Sequence, residues 1–229
     1  MSSGNEPLDI KAELTQAGAI LEGHMVLTTG LHSPGYICFD SVYPEVDLMM
    51  RIARALVEPF RDEHFDVVAA PGVGGIALAI YAGVAANSLV PYPVKPVWAD
   101  KHGREFSLGR MGFQGYVSGS RVLVVEDVIT SGDSVKRVLN KVEEAGGTVV
   151  GVSAVCDRND GQVGSNVPRA SQLAVPRFEA MASFDIPAVP AWECELCIQE
   201  QAIATDLGHG AQFEEENPNY RGGYISLLS

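Results

Sequence analysis

Glu126 and Asp127 stand side by side at the end of an apolar run, Val122-Leu-Val-Val, and the small, hydroxyl-rich stretch Thr130-Ser131-Gly132-Asp133-Ser134 follows after Val128 and Ile129. Adjacent carboxylates are acceptors suited to a pair of hydroxyls. A helical pattern runs from about Asp133 to Ala145, so the loop gathers its backbone N–H groups at a helix N-terminus, which favours anions. A ligand that satisfies both halves is a sugar phosphate, with its diol on the carboxylates and its phosphate in the loop. A simple helix cap at Ser131 or Asp133 accounts for neither the acidic pair nor the Thr-x-Gly-x-Ser spacing.

A second stretch of this kind is Pro71-Gly72-Val73-Gly74-Gly75, between a short apolar strand pattern (residues 66–70) and an Ala-rich helix pattern (residues 76–86). Glycines let the backbone approach an anion and aim N–H groups at it. Alone, such a turn is as readily a tight βα connection. Ligands of open α/β sheets bind at the carboxyl ends of the strands, so both loops are expected to face one crevice.

The elements that must position these residues alternate. Residues 8–21 have apolar side chains at helical spacing, residues 23–30 and 35–39 read as two strands around a Gly/Pro turn, and residues 47–64 form the clearest helix. Residues 94–99 are a strand that Pro96 pushes towards an edge or an end. Residues 101–119 carry no sustained periodicity and read as a long loop with room for a hairpin. Residues 148–155 and 178–184 are further strands, 161–175 a polar loop, and 209–229 a tail. Strands alternating with helices point to a parallel α/β sheet in one domain over residues 1–208.

With 46% hydrophobic residues, the 229-residue chain is expected to bury a core. No run approaches a membrane span, and the opening Met-Ser-Ser-Gly-Asn-Glu-Pro lacks the basic and apolar regions of a signal peptide. The net charge of −13 argues against nucleic acid and anionic membranes. It also demands local positive charge around an anionic ligand, and Lys101, His102, Arg104 and Arg110 lie within ten residues. Four cysteines in a chain of this length point to a cytoplasmic protein with free thiols. Cys194-Glu-Leu-Cys197 is a lone C-x-x-C, short of the four ligands of a zinc site, and reads as two unpaired thiols, so no metal ligand is named.

Residues 122–134 resemble the phosphoribosyl pyrophosphate (PRPP) signature of the type I phosphoribosyltransferases. The resemblance implies that Glu126 and Asp127 hold the ribose hydroxyls, that Val128, Ile129, Thr130, Ser131, Gly132, Asp133 and Ser134 wrap the 5′-phosphate, and that Gly72, Val73, Gly74 and Gly75 contact pyrophosphate. Residues 23–36, Gly-His-Met-Val-Leu-Thr-Thr-Gly-Leu-His-Ser-Pro-Gly-Tyr, are similar to the N-terminal pattern of the orotate phosphoribosyltransferases, and Asp157-Arg158 is similar to their Asp-Arg pair. The match covers roughly residues 15–160, with its parts in order. It implies a parallel sheet flanked by helices, a small hood from residues 8–40 plus a C-terminal segment, and a flexible active-site loop. By the same resemblance Arg158, Thr130 and Tyr36 meet orotate. Lys101, with His102, closes over PRPP across a homodimer interface, and Lys101 and Asp127 are the catalytic residues. Mg²⁺ is carried mainly by PRPP. The expected reaction forms orotidine 5′-monophosphate in pyrimidine biosynthesis. No Arg-Lys dipeptide precedes Lys101, a departure from the pattern. Two alternatives stay open: transfer to a purine or another pyrimidine base, and a PRPP-binding regulatory protein.

Overall fold

The computed structural model describes residues 8–102, 105–110, 112–159 and 169–228. Helix α1 (Ile10–Gln16) begins where the Asp9 carboxylate accepts from Ala12 N. It is shorter than the spacing over residues 8–21 predicts, because Gly18, at φ +69°, turns the chain. Ile20 and Leu21 therefore open strand β1 (Ile20–Val26), which pairs antiparallel with β2 (His32–Ile37). The reversal falls at residues 27–31, and Pro34 and Gly35 lie within β2. Helix α2 (Val46–Val57) buries the predicted stripe Leu48, Met49, Ile52, Ala53, Leu56 and Val57. Pro59 follows in a tighter turn that ends at Phe60 rather than His64.

The central sheet starts with β3 (Val67–Pro71), which α3 (Gly75–Leu89) connects to β4 (Lys95–His102). A hairpin follows, with β5 (Glu105–Ser107) antiparallel to residues 100–102, and then the short helix α4 (Phe113–Val117), which the aperiodic sequence of residues 101–119 does not announce. β5 covers only the end of β4, so Pro96 sits at an uncovered edge, its ring against Gly83 of α3. Strand β6 (Arg121–Ile129), helix α5 (Asp133–Glu144) and β7 (Thr148–Asn159) form the second crossover. Helix α6 (Arg169–Leu173), within the expected polar loop, precedes β8 (Phe178–Asp185).

The strand order is β5-β4-β3-β6-β7-β8, with β3, β4, β6, β7 and β8 mutually parallel. Both faces are covered, as a parallel sheet requires. Val68, Ala70, Leu123 and Val125 pack with α2 and α3, while Val67, Ala69, Val122 and Val124 pack with Val135, Val138 and Val142 of α5. One crossover leaves β3 towards β4 and the other leaves β6 towards β7. The order thus reverses between the adjacent strands β3 and β6, the switch point where such sheets bind ligands.

The C-terminal region departs from the expected tail. Helix α7 (Glu195–Ile198), strand β9 (Ile203–Ala204), helix α8 (Gly210–Glu216) and strand β10 (Tyr224–Ile225) fold onto the N-terminal hairpin. Together they make a second sheet ordered β10-β9-β1-β2, with Met25, Ala204 and Leu207 in its small core. The acidic run of residues 214–216 belongs to the exposed side of α8, which is why it reads as solvated.

Candidate active site

The acidic pair lies within β6 rather than beyond its end, since the strand runs on to Ile129. Glu126 is buried and Asp127 half-buried. Glu126 Oε1 accepts from Asp127 N at 3.3 Å, and Asp127 Oδ1 accepts from Val128 N at 2.6 Å. Burial, and then the carboxylate of Asp127 beside it, push the Glu126 carboxyl well above its ordinary 4.5.

The second oxygen of Asp127 has a partner that sequence spacing does not flag. The Tyr43 hydroxyl, ahead of α2, donates to Asp127 Oδ2 at 2.6 Å. Burial and the adjoining carboxylate push the phenol above its ordinary range, so it stays protonated and remains a donor. The glycine loop closes on the same point. A Cβ placed on Gly74 would stand 2.9 Å from the Tyr43 hydroxyl and 3.3 Å from Asp127 Oδ2. Gly72 N donates to Ala99 O at 2.7 Å, and a Cβ there would lie 2.8 Å from that oxygen, so the loop hugs the end of β4 as only glycine allows. The glycine loop and the acidic end of β6, which leads into the second expected anion loop, are therefore neighbours, joined through Tyr43.

Helix α5 starts at Gly132, whose φ is +80° and whose missing Cβ leaves room for Leu173 of α6, 2.8 Å from where that atom would stand. Ser131 Oγ accepts from Asp133 N at 3.3 Å, but Gly132 brings no capping side chain. Thr130 is half-buried, while Ser131, Asp133 and Ser134 are exposed at the mouth of the loop. A helix start without a cap, at the end of a central strand, is an anion acceptor.

Arg158 is buried near the end of β7, where Nη2 donates to Ser33 Oγ at 2.6 Å and Nε to Ile186 O at 3.3 Å. Its neighbour Asp157 accepts from Arg169 Nε at 3.0 Å. Tyr36 of β2 lies close enough for the charges of both Asp127 and Arg158 to bear on it, and burial is the largest cause of its raised phenol pKa. Strand β2 thus brings Ser33 to Arg158 at the end of β7 and Tyr36 within reach of the charges of Asp127 and Arg158.

Lys101 and His102 close β4. Their side chains, and Arg104, lie outside the described residues. Arg110 is not an unopposed cation: its Nε lies 3.0 Å from Asp100 Oδ2, and its guanidinium packs 5.2 Å from the Trp98 ring centre. Cys194 and Cys197 form no disulfide, yet they are not isolated thiols, since they meet His24 and His32 below the hairpin.

Residues 40–169 match the phosphoribosyl transferase domain. The chain is 33% identical over 190 residues to an orotate phosphoribosyltransferase of Thermus thermophilus, covering 83% of this chain and 95% of that one. It is 34% identical over 178 residues to the orotate phosphoribosyltransferase of Caldanaerobacter subterraneus subsp. tengcongensis, covering 78% and 85%. The fold is similar to the crystal structure of Mycobacterium tuberculosis H37Rv orotate phosphoribosyltransferase in complex with PRPP, with a TM-score of 0.54 at 22% identity over 78% of this chain and 91% of that one.

Proposed function

Because this chain belongs to the orotate phosphoribosyltransferase family, we propose that it transfers the phosphoribosyl group of PRPP to orotate, giving orotidine 5′-monophosphate and pyrophosphate. Orotate N1 gives up its proton to solvent and forms a bond to ribose C1′ while the bond from C1′ to pyrophosphate breaks, and the electron pair of that bond leaves with pyrophosphate. Positive charge develops on the ribose ring, so the protein's contribution is positioning and charge stabilisation.

The observation that carries this reading is the meeting of Gly74, Tyr43 and Asp127 at the switch point. Asp127 and Glu126 accept from the ribose hydroxyls, with Tyr43 holding Asp127 in position. The uncapped start of α5, residues 130–134, takes the 5′-phosphate. The amides of Gly72, Val73, Gly74 and Gly75 take the pyrophosphate end. Arg158, aimed by Ser33, matches the orotate carboxylate with a planar guanidinium, and Tyr36 and Thr130 line the base. Lys101, with His102, stabilises the departing pyrophosphate.

Mg²⁺ fits this donor set as a companion of PRPP. The glycine loop offers amides and no carboxylate, so the substrate's own oxygens would hold the ion, which supplies neutralisation of the leaving group. A homodimer is part of the same reading, with Lys101 acting across the interface. It is supported by Ile80 and Val84, one turn apart on α3 and 43% and 50% exposed. A cytoplasmic setting accords with four cysteines free of disulfides.

The test is the fall in orotate absorbance on mixing the protein with PRPP and Mg²⁺, with pyrophosphate measured alongside. Matched loss of orotate and release of pyrophosphate is expected. An unchanged spectrum at micromolar protein contradicts the reading.

A further inference from the structure

Below the hairpin, away from the switch point, four side chains with metal-binding atoms converge. Strand β1 carries a register shift between Glu22 and Met25, so that Gly23 and His24 together stand opposite Pro34. A bulge of this kind re-aims a side chain, and it turns His24 towards His32 at the start of β2. Cys194 and Cys197 come from the opposite end of the chain, at the start of α7. The four candidate ligand atoms all lie within 4.8 Å of one another.

We infer that His24, His32, Cys194 and Cys197 form a tetrahedral structural zinc site, with two imidazoles from the β1–β2 hairpin and two thiolates from α7. Zinc takes sulfur at about 2.3 Å and nitrogen at about 2.0–2.1 Å, which in a tetrahedron puts sulfur about 3.5 Å from nitrogen. Cys194 Sγ and Cys197 Sγ each lie 3.5 Å from His24 Nε2, and Cys197 Sγ lies 3.3 Å from His32 Nδ1. His24 Nε2 and His32 Nδ1 are 2.8 Å apart, and an ion between them opens that edge by about half an ångström.

At His24 the proton placement agrees with the geometry. His24 Nδ1 lies 3.0 Å from Gln201 O, and a carbonyl only accepts, so the ring proton sits on Nδ1 and the Nε2 lone pair faces the cluster. A ligand imidazole anchored through its other nitrogen by a carbonyl is the usual outer support of a metal site. His24, His32 and Cys194 are buried. The Phe213 ring meets His32 edge-on at 5.0 Å between centres, and Tyr220 lies 6.1 Å from His24, so aromatic rings close the site. Among the described residues no carboxylate takes part, and four protein ligands leave no position open for substrate, which marks the site as structural. Two imidazoles and two thiolates are a donor set that suits zinc. Binding Zn²⁺ releases both thiol protons, and the two thiolates then neutralise the ion.

The ion clamps the C-terminal segment from Cys194 onward to the hairpin. His24 is also the residue of β1 that pairs with Ile203 of β9, so backbone and metal act at one place. His32 directly precedes Ser33, the residue that orients Arg158. A consequence for orotate affinity rests on the function proposed above, whereas the metal site itself does not.

The test is reconstitution of the reduced, metal-stripped full chain with Co²⁺ as a spectroscopic probe. About one equivalent per chain is expected, with the intense visible bands of a tetrahedral site and a thiolate-to-cobalt charge-transfer band in the near ultraviolet. Zn²⁺ should displace these bands. A Cys194→Ser/Cys197→Ser variant and a His24→Gln variant, each checked by circular dichroism, should lose the charge-transfer and tetrahedral signatures respectively. Failure of the reduced wild type to bind Co²⁺, a weak octahedral spectrum, or an unchanged spectrum in a folded double variant overturns the inference. Should either variant not fold, the wild-type stoichiometry and spectrum decide alone. None of these readings depends on turnover, so a failed metal site and a failed enzymatic reading are told apart.

Discussion

Tyr43 and Asp127, 84 positions apart in the chain, are joined by a 2.6 Å hydrogen bond, and Gly74 packs against both atoms of that bond. The relationship ties the loop after β3 to the acidic end of β6. Each alone is an ordinary feature of a parallel sheet. Bridged by a phenol, they become a single cradle with carboxylates at its centre and amide-rich loops on either side.

Tyr43→Phe removes the bridge while keeping the ring. A hydrogen bond to a charged group is worth ~1.5–3 kcal/mol, and the partial exposure of both residues favours the low end. The expected outcome is a drop of about tenfold in kcat/KM for PRPP, with a much smaller change in the orotate KM. Steady-state kinetics with each substrate varied in turn check it, and an unchanged kcat/KM for PRPP removes the bridge from the account.

Glu126 makes stability depend on pH with a definite sign. Its carboxyl pKa in the folded chain is raised by burial first and by Asp127 second. Between the ordinary value of 4.5 and the higher folded one, the folded state holds more protons than the unfolded state, so stability falls as pH rises through that window. Glu126→Gln lacks this loss. Thermal melts from pH 4 to pH 9 should show the variant gaining on the wild type as pH increases, by about 2–4 °C for each kcal/mol. Parallel melting curves at all pH values would show that Glu126 does not titrate in this manner. The same variant should lose activity, because one of the two proposed ribose acceptors is altered.

Lys101→Ala tests the end of β4. Loss of the charge proposed to act on the leaving group is expected to lower kcat by about 10²- to 10³-fold, with melting temperature and circular dichroism unchanged. Mixing this variant with inactive Asp127→Asn protomers should restore partial activity if Lys101 acts across a dimer interface. Absence of any restored activity in mixed dimers would place the lysine in its own subunit's site.

Arg158 has its guanidinium set by Ser33 and Ile186. Replacing it by alanine should raise the orotate KM by about 10- to 100-fold, the scale of a charge-assisted pair, and leave the PRPP KM nearly unchanged. Ser33→Ala should do the same more weakly, since it loosens the arginine without removing it. Equal effects on both substrates would contradict the assignment of Arg158 to the base.

Local patterns made much of this architecture legible. Leu48, Met49, Ile52, Ala53, Leu56 and Val57 announce α2 by period alone, and the apolar run before Glu126 announces a central strand. Both glycine-bearing loops are visible because a close backbone approach demands a residue type. What stayed hidden depends on distance along the chain. Tyr43 carries no signal of its own, since its role is created by a partner 84 residues away. The C-x-x-C gave no hint of His24 and His32, because their meeting needs a bulge in β1 and a C-terminal segment that returns to it. That segment, polar and acidic on α8, reads as a tail when its few apolar contacts, such as Leu207, are spread thinly.

The cradle at Asp127 is proposed to favour orotate over other bases as the acceptor of the phosphoribosyl group. Initial rates with PRPP and Mg²⁺ should be compared for orotate, uracil, adenine, hypoxanthine and guanine under identical conditions. The kcat/KM for orotate should stand at least about 10²-fold above that of every other base, because bases lacking the carboxylate forgo the proposed charge-assisted pair with Arg158. A purine used as well as orotate, or no base consumed at all, would contradict it.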